Sequence, residues 1–545
     1  MKKKILSTYS AFILCGAICL SSIIPTYNQA PDWMWADAPQ GNTSNDIFSI
    51  ATDGSGNSYV AGSFYGPITF GNITLTSVGT LDIFIVKYDA SGNVLWARSA
   101  GGNDFDCPKS IALNPTGGIY ITGYFRSHSI SFDNTTLSNV GSHDVFLAKY
   151  DASGNSLWAI GAGGIAEDDS YDVTADLSGN AYITGEFEFD DIHFGNTTLI
   201  YSGIGSDMFI AKYDASGNLV WARSETGTQF ESGQSIATDA QGNFYLTGTF
   251  SDSLRFGTTM LVGTGARDIF IVKYDTSGAA SWARSAKGVD FDISTSIAAL
   301  PDGRSYLTGL YTSPIIIFGN DTLQNAGASD IFIVEYDPFG NVLKAISAGG
   351  PGYETSQSIV ILSDESSCIT GDFNSPVINF GNTTLTNTGQ SNLFVAKESA
   401  GSFDWALCPN GYSNLGRGIS TDGSGSLYVT GWFADSSFTL GNFTLLNTEN
   451  VNCFVGRLDV QASTADENHI SNSTDIYPNP CSGNFNVQSD QIIDEIQIRN
   501  PVGQVIYNLK PASRKISLSL EKNGIYFLTI TEGNQTLTRK LVVQH

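Results

Sequence analysis

A Trp-Ala dipeptide returns through this chain at a fixed interval. Trp35, Trp96, Trp158, Trp221, Trp282 and Trp405 each precede Ala, and Lys344-Ala345 stands where another is due. The spacings are 61, 62, 63, 61, 62 and 61 residues. So constant a period restricts the chain to a repeat architecture.

Each unit carries the same parts. Asp82-Ile-Phe-Ile-Val-Lys-Tyr88 has the apolar, β-branched content of a strand, Asp89-Ala-Ser-Gly-Asn93 supplies turn residues, and Val94-Leu-Trp-Ala97 begins a return strand. Upstream stand Ser49-Ile-Ala-Thr-Asp53 and Ser58-Tyr-Val-Ala-Gly-Ser-Phe64, whose copies end at Phe125, Phe187, Phe250, Tyr311, Phe373 and Phe433. With 58 Gly and 16 Pro to supply turns, the chain reads as all-β. A small four-stranded sheet cannot bury both faces alone, but seven packed around an axis can. We therefore expect a seven-bladed β-propeller over residues 31–460, each blade carrying strands A (SIATD), B (SYVAGSF), C (DIFIVKYD) and D (VLWARSA) from the axis outwards. The last unit has no D strand after Asp459, and the first Trp-Ala pair has no C strand before it. Residues 32–37 are thus expected to serve as strand D of the seventh blade and close the ring.

These units resemble the SBBP class of bacterial β-propeller repeats, through DIFIVKYDASGNVLWARSAGG and SIATDGSGNSYVAGSF, and more distantly NHL-type repeats. The resemblance spans about residues 32–460 and implies the propeller fold but no activity. The chain departs from the pattern at Lys344, at Glu398 and in the turn Ala400-Gly-Ser402, which is expected to weaken the sixth blade.

Residues 1–30 read as a signal peptide: Lys2, Lys3 and Lys4 precede an apolar run, with cleavage expected between Ser21 and Ala30. The run is short and Ser-interrupted, which disfavours a retained membrane span, and neither Cys15 nor Cys19 has a convincing lipoprotein context. Residues 461–474 are polar and aperiodic, as a linker is. Residues 475–545 then hold short strand-like runs that suit a small immunoglobulin-like β-sandwich. Their markers are Tyr477-Pro478-Asn479-Pro480, Gly483-Asn-Phe485, Gly503-Gln-Val505, Gly524-Ile-Tyr526 and Lys540-Leu541-Val-Val543. In this order they resemble the type A C-terminal sorting domain of the type IX secretion system. That resemblance implies the type IX machinery as a partner and passage across the outer membrane of a Bacteroidota-type cell, followed by release or surface attachment.

A net charge of −26 argues against nucleic acid and anionic membranes as partners. Beyond the N-terminal run, Cys107, Cys368, Cys408, Cys453 and Cys481 show no CxxC spacing, so neither a zinc site nor a disulfide framework is indicated, although one bridge is possible.

The A–B and C–D turns are short, built from DGSGN and DASGN, whereas the D–A and B–C loops are long and variable, so binding is expected on the D–A/B–C face. There, four residues before each strand-A serine position, stand Asn45, Asp106, Asp168, Glu231, Asp292, Glu354 and Asn414. Phe105, Phe230, Phe291 and Tyr353 precede four of them. Seven-fold geometry would set these groups around the channel mouth. The five acids Asp106, Asp168, Glu231, Asp292 and Glu354 are candidate cation ligands, with Ca²⁺ the only cofactor suggested. The preferred reading is that each accepts backbone N–H bonds entering strand A. The DASGN runs at Asp89, Asp151 and Asp214 lack the length and later Glu of an EF-hand and read as Asx turns. Unit three gathers Glu167, Asp168, Asp169, Glu186, Glu188, Asp190 and Asp191 near His193, a metal or basic-ligand patch or simply an acidic surface.

No catalytic residue is indicated: the five His fall in no HExxH spacing and GxSxG is absent. The expectation is a monomeric, non-enzymatic module for an extracellular protein or glycan. The alternatives are a polysaccharide-active enzyme with its site on the same face, or a structural surface-layer or gliding-associated component.

Overall fold

The computed structural model describes residues 31–41, 45–448, 451–460, 475–477, 481–500, 505–532 and 535–543. The signal-peptide reading of 1–30, the linker reading of 461–474 and Pro478, Asn479 and Pro480 fall outside them. The described residues contain strands and turns and no α-helix. The chain divides into two units, Met1–Ala462 and Ser463–His545.

The first unit holds seven four-stranded antiparallel sheets. In the first, Asn45–Thr52, Ser58–Phe64, Asp82–Tyr88 and Val94–Ala100 follow one another as strands A to D. The other A strands are Asp106–Leu113, Asp168–Ala175, Glu231–Thr238, Asp292–Ala299, Glu354–Ile361 and Asn414–Thr421. Each A strand packs against the next, and the last packs against the first, so the sheets form a closed ring around a central channel. In the sheet of Asn414–Thr421, strand D is Asp32–Asp37, antiparallel to Asn452–Asp459, with Trp35 opposite Arg457 and Ala36 opposite Gly456. This is a β-propeller whose ring is joined by its first strand.

The C–D turns at Asp89, Asp151, Asp214, Asp275 and Asp337 are Asx turns. Asp89 accepts the N–H groups of Ser91 and Asn93 at 2.8 and 2.9 Å, and Gly92 supplies a φ of +85°. Every sheet also carries an added hairpin between B and C, such as Pro67–Phe70 with Ile73–Thr76. Four of the seven turn at Phe-Gly-Asn, beginning at Phe70, Phe194, Phe318 and Phe380. They reach the neighbouring sheet: Gly163, leaving strand D of the second, pairs with His193 in the hairpin of the third.

The Trp-Ala tryptophans fasten one sheet to the next. Trp35, Trp96 and Trp282 donate their indole N–H to the C–D turn carbonyls of Ala90, Ala152 and Pro338 at 3.1, 3.1 and 3.0 Å. The core runs through the sheet interfaces, where Ile83, Phe84, Phe125, Phe146, Phe209, Phe270, Phe332 and Phe394 are fully buried. The five described cysteines are free thiols.

The second unit is an immunoglobulin-like sandwich. One sheet joins Asp475–Tyr477, Asn484–Ile493 and Ser513–Ser519. The other joins Val505–Leu509, Glu495–Arg499, Gly524–Glu532 and Gln535–Val543. Phe485, Val487, Ile496, Leu528, Ile530 and Leu541 fill its core. The late markers pair with one another: Gly524 lies opposite Val543, Tyr526 opposite Leu541 and Phe527 opposite Lys540. Tyr477 donates its hydroxyl to Gln488 Oε1 at 2.7 Å.

Candidate functional site

All seven A strands bulge at the same place. In the first, Ile47 lies opposite Gly62 and Ser49 opposite Ala61, so Phe48 has no partner. The corresponding residues are Lys109, Tyr171, Gln234, Thr295, Gln357 and Arg417. A bulge re-aims its extra side chain, and all seven line the central channel, around a cavity of about 130 Å³. The glycine of each strand-B motif makes room for this backbone. A Cβ on Gly62 would lie 2.3 Å from the carbonyl oxygen of Asp46, and one on Gly185 would lie 1.9 Å from that of Asp169. The residue after the bulge steadies the ring: Ser49, Ser235, Ser296 and Ser358 accept the N–H of Ile111, Ile297, Ile359 and Ile419. In the third sheet Asp172 replaces that serine. It accepts from Ser110 Oγ, Ser235 Oγ and the N–H of Ile236 at 2.6, 2.8 and 2.8 Å.

The bulged positions escape the repeat, and the channel is therefore lopsided. Arg417, Phe48 and Lys109 are neighbours around the ring. Arg417 stands 3.7 Å from Asp46, and Lys109 Nζ lies 5.3 Å from the rings of both Phe48 and Tyr124. Burial raises the pKa of Asp46 against the pull of these two cations. Tyr124 stacks on His143 at 4.5 Å, and His143 Nδ1 is 3.3 Å from Asp169 Oδ1. Tyr171 donates its hydroxyl to Glu186 at 2.5 Å. The acids of the third unit thus meet His143 of the second sheet. His193 instead bonds Thr198 within its own hairpin.

The residues expected around the channel mouth are not there. Asp106, Asp168, Glu231, Asp292 and Glu354 are at most 1% exposed and lie between sheets, three residues before the bulge. Each carboxylate is met by donors. Asp106 accepts from the N–H of Gly102 and of Ser127 and from Ser127 Oγ, and Glu231 from the N–H groups of Thr228 and Gln229. Asp292 accepts from Ser313 N–H and Oγ, Glu354 from Gly350 N–H and Ser375 Oγ, and Asp168 from Gly164 N–H. Bulging turns the next ring of side chains into the channel and leaves this one in the interface.

Each of these acids faces a second one at the start of strand C in the preceding sheet. The pairs are Asp82 with Asp106, Asp144 with Asp168, Asp207 with Glu231, Asp268 with Asp292 and Asp330 with Glu354. Backbone bonds set the match: Asp106, Asp168, Asp292 and Glu354 donate their N–H to the carbonyls of Leu81, His143, Arg267 and Ser329 at 2.8–3.2 Å. Burial, then the neighbouring carboxylate, raises the pKa of Asp168 and Glu231 to about 8 and that of Asp330 to about 6. The strand-C partners were not singled out in the sequence, because nothing there shows which A strand each would meet.

The outer rim is aromatic. Phe105, Phe291, Tyr353 and Tyr412, all in D–A loops, are 40%, 50%, 63% and 57% exposed. Phe230 is covered by the Arg267 guanidinium, 3.6 Å from its ring. With Phe230, Phe291, Tyr353 and Tyr412 on four successive sheets, the face has an aromatic arc on one side and the charged cluster on the other.

Residues 475–544 match the family model described as the secretion system C-terminal sorting domain. They are a type IX sorting domain. The propeller is thus carried across the outer membrane by the type IX machinery, to the cell surface or the medium. No helix among the described residues is long and apolar enough to cross a membrane. Over 443 residues the chain is 25% identical to the "uncharacterized WD repeat-containing protein L264" of Acanthamoeba polyphaga mimivirus, covering 66% of this chain and 32% of that protein. Over 143 residues it is 28% identical to the "regulatory protein FlaEY" of Caulobacter vibrioides, covering 26% of this chain and 15% of that protein. The chain spans about a third of the first relative's length and less of the second's. Among solved structures it is similar to PorZ, described as an essential bacterial surface component of the type-IX secretion system of Porphyromonas gingivalis. The TM-score is 0.24 at 10% identity, covering 94% of this chain and all of that one. A second, YCF48 bound to D1 peptide, gives a TM-score of 0.36 at 9% identity, covering 79% and 97%. At these identities the likeness concerns the fold alone.

Proposed function

We propose that the propeller is an exported, non-enzymatic binding module that takes an extracellular protein or glycan chain on its D–A/B–C face, as a monomer. The observation that carries this is the escape of the seven bulged positions from the repeat. Residues that maintain a repeat stay alike, whereas Phe48, Lys109, Tyr171, Gln234, Thr295, Gln357 and Arg417 are of six types, Gln alone recurring, and share one cavity. They offer amides, hydroxyls and two cations behind an arc of exposed aromatic rings. That is the mixture by which concave sites orient a polar chain while burying its apolar faces.

The test is binding of the exported chain to a glycan array and to immobilised extracellular proteins, beside the variants Lys109→Ala with Arg417→Ala and Tyr353→Ala with Tyr412→Ala. Each pair should weaken binding by about tenfold or more, since anchors of this kind dominate recognition, with the melting temperature unchanged. Release of oligosaccharides from a polysaccharide would instead make the face an active site. Equal binding by all three proteins would move the site elsewhere. Export is checked separately: truncation at Ser473 should leave the propeller in the periplasm.

A further inference from the structure

At five of the seven sheet interfaces, both facing positions are acids. At the other two, both are asparagines: Asn392 with Asn414, and Asn452 with Asn45. No interface mixes the two kinds. The side-chain amides of Asn392 and Asn414 stand 3.3 Å apart. Asn414 Oδ1 and Asn45 Oδ1 each accept, at 2.8 Å, the N–H of the residue following their partner. An amide pair is neutral, and one member can donate to the other. The acid pair that replaces it in the same pocket can do so only if it carries a hydrogen. We propose that each of the five acid pairs holds one proton, the O–H of one carboxyl group donating to the carboxylate of the other.

Three observations carry this independently of one another. First, the pairs are surrounded by donors. Asp82 accepts from Val78 and Gly79, Asp144 from Val140, Asp268 from Thr264 and Gly265, and Asp330 from Ala326, all backbone N–H groups. Such a nest favours negative charge and repels a metal cation, yet two full charges in one dry pocket oppose each other. Second, some buried oxygens are left without a donor: Asp144 Oδ1, Asp330 Oδ1 and Glu231 Oε2, on side chains 3%, 2% and 0% exposed. A proton on the facing group supplies that donor. Third, among the described residues no Lys or Arg makes an ion pair with any of the ten acids.

The surroundings are few. His143, Asp169 and Asp190 act on the Asp144–Asp168 pair. Tyr201 and Tyr311 lie near Asp207 and Asp330, and Asp372 lies near Glu354. Raised folded values mean that the folded state binds more protons than the unfolded one. The stabilisation is complete below the ordinary carboxylate values of 3.8 and 4.5 and is lost as pH climbs to about 8. The exposed turn acids, such as Asp89, have lowered values and titrate below this window.

The test is infrared spectroscopy of the full exported chain at pH 7, reading the carboxylic-acid C=O stretch, in the wild type and in Asp144→Asn with Asp168→Asn, which copies the native asparagine interface. The wild type should show the band, and the variant should lose the part of it that one protonated carboxyl contributes. The variant's melting temperature should also fall less between pH 5 and pH 9. Should the double variant not fold, Asp168→Asn alone should remove the same share. An absent band at pH 7 overturns the proposal. So does a Ca²⁺-induced rise in melting temperature that chelation reverses and the variant abolishes, which would put a cation where we place the proton.

Discussion

Lys344 reaches across the interface between the fifth and sixth sheets to Glu398, with Nζ 2.6 Å from Oε1. These are two of the departures from the repeat, 54 residues apart. At the matching place elsewhere a tryptophan stacks on a tyrosine: Trp35 on Tyr88 at 5.9 Å and Trp282 on Tyr336 at 6.3 Å. The sixth sheet is thus not weakened by two unrelated losses, since an ion pair has taken the place of an aromatic pair. Glu398 is fully buried, accepts from Ser367 Oγ and from the N–H of Gly401, and so ties the altered C–D turn into the same exchange. Removing one partner strands a buried charge. Lys344→Met should cost about 3 kcal/mol, read by denaturant unfolding, and Lys344→Trp with Glu398→Tyr should recover most of it. A double variant as unstable as the single one would mean that the exchange involves more than these two residues.

The turn glycines pack as well as bend. A Cβ on Gly92 would lie 2.7 Å from the Trp35 ring, whereas one on Gly401 would meet nothing within 4 Å, and both have positive φ, +85° and +84°. Gly401→Ala should therefore cost about 1 kcal/mol of backbone strain, and Gly92→Ala about 1–3 kcal/mol more for the clash. Thermal melts of the two variants read the difference directly.

Removing residues 32–37 should open the ring rather than trim it. The edge of Asn452–Asp459 would lose its partner, and an unpaired edge recruits another strand. The deleted chain should oligomerise on gel filtration and be cleaved rapidly by trypsin. A synthetic peptide of residues 31–41 added in trans should reverse both.

The propeller thiols should be inert. Burial pushes Cys107 up to about 11 and Cys408 up to about 12, and Cys368 and Cys453 are fully enclosed. At pH 8 the thiolate population is then very small. Iodoacetamide should leave all four unlabelled in the native protein and label them once guanidinium unfolds it.

The architecture was legible because each sheet repeats its own parts: the Trp-Ala interval carries the sheet count, and the first Trp-Ala pair, lacking a strand before it, advertises a missing neighbour. The binding face was legible in the contrast between short DASGN turns and long loops. The channel lining was not. Phe48, Lys109 and Arg417 look like ordinary alternation in a strand, and only the bulge, for which Gly62 and its equivalents make room, turns them to the axis. Nor was the pairing of Asp82 with Asp106, since each repeats faithfully and nothing in a repeat tells which copy touches which. Lys344 and Glu398 were visible singly as departures, and their contact needed the sheets to be set side by side.

The joining of the ring by its first strand also sets an order of events. Asn452 bonds the carbonyl of Pro39, 413 positions away, so the opening strand must wait, unpartnered, until almost the whole propeller has been made. A chain cut short anywhere before that point has no place to put Trp35. The sorting domain lies just beyond the strand that completes the circle. A molecule that carries its export signal is therefore one long enough to hold both halves of the closing sheet.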